Sequence, residues 1–132
     1  MLGEIIGEFK GKITGNRVLS VGCCPKIESS FQETGKILDE EATGIGTFWT
    51  IIKEGGKLYG EGQGIITTND GENATWEGHG IGNMKGKGCE WKVSIFFNTS
   101  SKKLARLNHI IGIGEFQIDE EGNSHDKIWE WQ

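Results

Sequence analysis

Proline is almost missing from this chain: Pro25 is the only one in 132 residues. No G-X-Y period runs through its many glycines, so a collagen-like chain is excluded. No segment sustains a 3.6-residue apolar period, which removes the usual signature of an amphipathic helix. Positive charge is in deficit, with 14 Lys and Arg against 19 Asp and Glu for a net charge of −5. The lysines alternate with acids and do not cluster. Such a surface repels phosphate backbones, so no nucleic-acid partner is expected. Cysteine is scarce too. Cys23 and Cys24 are adjacent and Cys89 stands far off, an odd number that fits neither a disulfide framework nor a zinc spacing, and no C-x-x-C pair suggests redox chemistry. Reduced thiols and a cytoplasmic location are the expectation. The start, Met1 to Glu8, has no basic stretch and no long apolar run, so neither a signal peptide nor a membrane span is expected.

What is present in excess is glycine, with 22 residues, about one in six against a usual ~7%. Five Trp and six Phe spread along the chain argue against disorder. Runs of period 2 recur at 4–13, 17–22, 26–37, 43–53, 57–68, 73–83, 89–99, 104–118 and 124–131. Turn signals separate them, such as Thr14-Gly15-Asn16, Gly55-Gly56, Asn69-Asp70-Gly71, Lys85-Gly86 and Glu121-Gly122-Asn123. Gly-Gly and Asp-Gly between alternating runs are hairpin signals, because primed turns need positive φ. Every connection is short, so neighbours in sequence should pair. The expected fold is all-β, one domain over residues 1–132. It is an antiparallel up-and-down meander of 8–9 strands, closed into a small barrel that leaves no edge.

The glycines form ladders two residues apart: Gly60, Gly62, Gly64; Gly78, Gly80, Gly82; and Gly112, Gly114. Each ladder lies on one face of its strand. A mid-strand glycine costs about 0.5–1 kcal/mol relative to alanine, so something must offset these ladders, and room for large side chains opposite is the candidate. With Lys85-Gly86 as a two-residue turn, Gly78 and Gly80 oppose Val93 and Trp91, and Trp76 opposes Ile95. With Glu121-Gly122 as another, Gly112 and Gly114 oppose Trp131 and Trp129. This places Trp76, Trp91, Val93, Ile95, Phe97, Phe116, Trp129 and Trp131 inside. The 104–118 run then turns Leu104, Arg106, Asn108, Ile110 and Phe116 inward as well.

A buried arginine needs a carboxylate or water, and Glu61 is the natural partner in one of two registers. If Asp70-Gly71 is a two-residue turn, Tyr59, Glu61, Gln63 and Ile65 share the inner face with Trp76. If Asn69-Asp70-Gly71 is a three-residue turn, the strand flips. Gly60, Gly62 and Gly64 then face inward, and Glu61 sits outside opposite His79. The first register gives an apolar cavity holding one acid, one guanidinium and two amides, the composition of a small-molecule site. Its candidate ligand-binding residues are Tyr59, Glu61, Gln63, Trp76, Trp91, Phe97, Arg106, Asn108 and Trp129. Gly60-Glu61-Gly62-Gln63-Gly64 is not followed by a helix, so it does not read as a nucleotide fingerprint. His79, His109 and His125 read as surface residues, and no metal or other cofactor is expected.

The stretches Gly60 to Gly71, Ala74 to Gly82 and Lys127 to Trp131 resemble a family of short prokaryotic glycine-rich barrel proteins whose activity is uncharacterised. At fold level they are similar to allene-oxide-cyclase-like and other calycin-type barrels. The resemblance implies a closed barrel with an apolar cavity, without metal or nucleotide, often in a small oligomer. It also implies, for a cyclase, that Glu61 and Asn108 stand in for an assisting glutamate and asparagine. Three functions are therefore carried forward. The first is a barrel binding a small apolar or amphipathic molecule with a polar or acidic head. The second is a cyclase or isomerase using Glu61 as general base. The third is a filled barrel serving as a structural or interaction subunit.

Overall fold

Short loops force each strand to pair with the next, and the last returns to the first, closing an antiparallel barrel in chain order. The computed structural model describes residues 1–132. Its eight strands are β1 (Leu2–Ser20), β2 (Lys26–Ile37), β3 (Glu40–Ile52), β4 (Lys57–Thr68), β5 (Asn73–Lys85), β6 (Gly88–Asn98), β7 (Gly112–Ile118) and β8 (Asn123–Trp131). The count is eight, not nine, because Thr14-Gly15-Asn16 does not turn. The register against β2 slips between Ile13 and Gly15 instead, and such a bulge bends a long strand without ending it. The run expected at 104–118 is one-third helix: Ala105–His109 forms a short 3-10 helix before β7 begins at Gly112.

Loop lengths decide which face each strand turns inward. Between β5 and β6 the turn is Gly86-Lys87, with Gly86 at φ 63° and Lys85 paired with Gly88. The pairing is displaced by two residues from the expected one, and a shift of two preserves every face. Gly78, Gly80 and Gly82 therefore point inward opposite Ile95, Val93 and Trp91. Between β4 and β5 the three-residue alternative is the one adopted. Thr68 N–H donates to the Glu72 carbonyl, Gly71 has φ 88°, and Glu61 lies opposite His79 on the outer face. The β7–β8 loop has the same form, with Asp119 bonded to Asn123 and Gly122 at φ 86°. This overturns the expected two-residue turn. Gly112 and Gly114 face Glu130 and Ile128, while Trp129 lies outside beside Ile113 and Trp131 is 51% exposed.

One end of the barrel is plugged. Leu104, at the start of the short helix, and Leu107 within it are completely buried beneath Ile6, Ile37, Ile66, Phe97 and Ile128. Lys103 ties the plug to the neighbouring turns by pairing with Asp70 and, at 3.3 Å, with Glu40. Asn108 pins it again, accepting from the Thr99 N–H and donating to the Thr99 carbonyl, both at 2.9 Å. No helix is long and apolar enough to cross a membrane.

Packing of this kind makes two substitutions informative. Leu107→Ala should lower the unfolding free energy by about 2–5 kcal/mol, because the plug cannot collapse into the space left. A Cβ at Gly64 would lie 2.5 Å from Trp76 Nε1 and 2.7 Å from a backbone carbonyl, whereas nothing lies within 4 Å of one at Gly15. Gly64→Ala should cost about 1–3 kcal/mol, and Gly15→Ala should be neutral or stabilise by up to about 1 kcal/mol. Urea unfolding of the three variants checks all of this.

Candidate functional site

Period-2 alternation carries Phe31 on β2, Phe48 on β3, Trp76 on β5, Trp91 on β6 and Phe116 on β7 into the middle of the barrel. Their rings form one layer, with Phe31 in contact with Phe48, Trp76 and Phe116 at centroid distances of 6.0, 6.3 and 5.7 Å. Phe48 meets Trp91 and Phe116 edge-on at 6.2 and 5.9 Å. Glycines opposite supply the room. A Cβ at Gly46 would sit 2.6 Å from Phe31 Cζ, and one at Gly60 would sit 3.0 Å from the Trp91 ring. Beside this layer remains a cavity of about 80 Å³, lined by Phe48, Trp76, Trp91, Val93, Ile95, Phe97, Phe116 and Ile128, and by the backbone-bare positions Gly60, Gly62, Gly78, Gly80 and Gly114.

Glu33 of β2 and Asp126 of β8 line that cavity from the inner faces of their strands, while Glu61, His79 and Glu115 border it from outward-facing positions beside the glycines. Glu33 alternates with Phe31, Gly35 and Ile37 and is only 6% exposed. It fits between glycines on both neighbouring strands, paired with Gly11 and Gly44, and a Cβ at Gly44 would lie 2.9 Å from its Oε2. Asp126 lies across β1, where Phe9 is flanked by Gly35 on one side and Asp126 on the other. Burial pushes Glu33 up to about 9, and the Asp126 charge and the hydrogen bond to it add to the rise. Burial likewise pushes Asp126 up to about 7, while the hydrogen bond from Glu33 holds it below the level burial alone would give. Both carboxyls are thus held above the ordinary carboxylate range, and the pair keeps a proton where free carboxyls have lost theirs. Asp126 Oδ1 is buried with no hydrogen-bond partner, as is the Trp91 indole N–H. The arrangement can donate one proton and accept another within an apolar enclosure.

The sequence-predicted site divides. Trp76, Trp91 and Phe97 line the cavity. Tyr59, Glu61 and Gln63 lie on the outer face because the three-residue loop flips β4, although Glu61 still borders the cavity between Gly60 and Gly62. There the Tyr59 hydroxyl donates to Glu61 at 3.3 Å and its ring packs on Trp49. Arg106 is not inward either. On the short helix it reaches the outer rim and pairs with Glu4 at 2.6 Å and Glu130 at 2.9 Å. Asn108 is exposed and serves the plug, and Trp129 went outward with the β7–β8 register. No three His, Cys, Asp or Glu side chains gather closely enough to hold a metal ion. The acid pair was missed although half of it was readable: the alternation of Phe31, Glu33, Gly35 and Ile37 puts Glu33 inside. Asp126 was hidden by the wrong loop length after β7.

No family model and no curated protein matches the chain in sequence. Solved structures do match its shape. A protein with unknown function from Clostridium acetobutylicum superposes with TM-score 0.84 at 13% identity over 98% of each chain. A β-barrel-like protein from Acinetobacter baumannii gives 0.82 at 15% identity, covering 99% of this chain and 96% of that one. An enzyme from Penicillium herquei gives 0.65 at 16% identity, covering 98% and 96%. At such identities the likeness establishes the eight-stranded barrel and nothing finer.

The acid pair sets the pH response of the fold. Folded Glu33 and Asp126 titrate near 9 and 7 against ordinary values of 4.5 and 3.8. Between these limits the native state holds more protons than the unfolded chain, so stability falls as pH rises. Asp70, Asp119 and Glu8 are shifted the other way by their hydrogen bonds to Lys103, Asn123 and His125, and their contribution is lost on acidification below their ordinary values. Thermal melting should therefore be highest near pH ~5 and decline towards pH ~9. Glu33→Gln should flatten the alkaline decline and stabilise the protein by about 1–3 kcal/mol at pH ~8. Melting curves of both proteins across this range decide it.

Proposed function

We propose that the barrel binds a small, largely apolar molecule in its interior, with a hydrogen-bonding group set against Glu33 and Asp126. The observation that carries this reading is a pair of buried carboxyls, one oxygen without a partner, facing a cavity walled by aromatic rings. A folded chain gains nothing in stability from such a pair, so its presence points to a use. The polar head is neutral or cationic. An acidic head would meet the Glu33 and Asp126 carboxyls and no lysine or arginine, since none lines the cavity and Arg106 is engaged with Glu4 and Glu130 at the rim. The size of the ligand follows from the space. A cavity of about 80 Å³ is roughly half the volume that accepts a benzene ring. Some four heavy atoms fit without moving Trp76 or Trp91.

The two remaining readings bear on the same cavity. Glu61 as general base of a cyclase is not carried forward, because its side chain faces outward. A cyclase or isomerase reading would have to rest on the interior, and the enzyme from Penicillium herquei with a similar barrel supports a catalytic use of this shape. The filled-barrel reading draws on the small volume and on outward apolar residues such as Ile45, Ile65 and Phe96.

Titration with acetone and with acetate, followed by the NMR signals of the tryptophan indoles, tests the proposal. Acetone should shift the Trp76 and Trp91 signals and acetate should not. Arg106→Ala should leave acetone binding unchanged. Absence of any shift with acetone would favour a filled barrel.

A further inference from the structure

The two carboxyls are not equivalent, and the difference carries a chemical consequence beyond binding. Glu33 stands in a slot bounded by Gly11 and Gly44, with its carboxyl at the cavity. Asp126 lines the same cavity and keeps Oδ1 buried with no hydrogen-bond partner. One proton held between two carboxyls in apolar surroundings places an acid and a base side by side, each within reach of one small molecule. No lysine or arginine lines the cavity to hold a phosphate or carboxylate. Its flat aromatic walls, Phe48, Trp76 and Phe116, suit a planar, uncharged group.

Resting on the interior binding reading, we infer that the Glu33–Asp126 pair is a proton-transfer catalyst for a small, neutral, enolisable carbonyl compound. In the forward step the Asp126 carboxylate takes a proton from the carbon next to the carbonyl. The electron pair of that C–H bond forms the C=C bond of the enol. The carbonyl π pair moves to oxygen, which takes the proton that Glu33 had held. Asp126 is now the protonated partner and Glu33 the ionised one, so the pair's charge is unchanged. In the return step Asp126 gives its proton to carbon, at the original or a conjugated position, and the enol O–H proton goes back to Glu33. Nothing is oxidised and no co-reactant is consumed. The net result is hydrogen exchange or isomerisation.

Exchange of acetone hydrogens in D2O, followed by NMR, reads this directly. The wild-type protein should accelerate exchange about 10²-fold over buffer. Asp126→Asn should abolish the acceleration and Glu33→Gln should reduce it at least about tenfold, with both variants melting no lower than wild type. Gly114→Ala should also suppress exchange while leaving both carboxyls intact, because its Cβ would enter the cavity wall 2.9 Å from Val93. That variant keeps the question decidable if a carboxyl variant does not fold. If acetone shifts the indole signals but its exchange is no faster than in buffer, catalysis is overturned and the binding reading stands. If methylammonium displaces acetone and no exchange occurs, the pair is a cation site and the inference falls. If acetone does not bind at all, both readings fall together.

Discussion

The interior of an eight-stranded barrel is just wide enough for side chains to fill, and Phe31, Phe48, Trp76, Trp91 and Phe116 pack there as one ring layer because the strands facing them carry glycine. Gly46 lies under Phe31, Gly64 under Trp76, and Gly60 and Gly82 under Trp91, each with no space for even a methyl group. What a glycine costs in strand propensity is returned as aromatic area buried against bare backbone. The ladders are therefore a packing device first. They also determine that the space left over is small, and that it lies where glycines outnumber rings, along Gly62, Gly78 and Gly114.

Into this leftover space the chain puts two carboxyls. Burying an ionisable pair is usually no better for stability than filling the site with hydrocarbon, and here the surrounding glycines leave room for the carboxyl where a larger residue would have filled the gap. Gly44 is placed so that Glu33 can stand, just as Gly46 is placed for Phe31. Local rules of propensity and burial are broken together at one place, and such places are where function is expected. The proton shared by the pair lets the site stay near neutral while still holding one group that donates and one that accepts. A single buried carboxyl could do only one of these.

Strand existence, strand order and the inward turn of Gly78 to Gly82 with Trp76, Trp91, Val93, Ile95 and Phe97 were readable from period-2 alternation and short loops. These features survive a displacement by two residues, so the misjudged β5–β6 turn did no harm. Arg106 and Asn108 were misread for another reason. Leu104 and Leu107 are three apart, a helical spacing, yet the segment was carried into the following strand because Ile110, Gly112 and Gly114 continue an alternating pattern. Once the segment is a helix, Arg106 must leave the interior, and its charge finds Glu4 and Glu130 at the rim.

The rest turned on parity. The loops after β4 and β7 end alike, in Asn69-Asp70-Gly71 and Glu120-Glu121-Gly122, with the glycine third and at positive φ. A two-residue primed turn and a three-residue turn with a left-handed third residue differ by one residue in register, and one residue exchanges the two faces of a strand. In the first loop that single step removes Tyr59, Glu61 and Gln63 from the interior and admits Gly60, Gly62 and Gly64. In the second it expels Trp129 and Trp131 and admits Asp126 and Ile128. The same physical feature thus dismantles one acidic site and assembles another: Asp126 reaches Glu33 only because β8 is read through a three-residue loop. An acidic residue two strands from Glu33 was always available in sequence. Its side of the sheet was decided by whether Gly122 closes the turn or follows it.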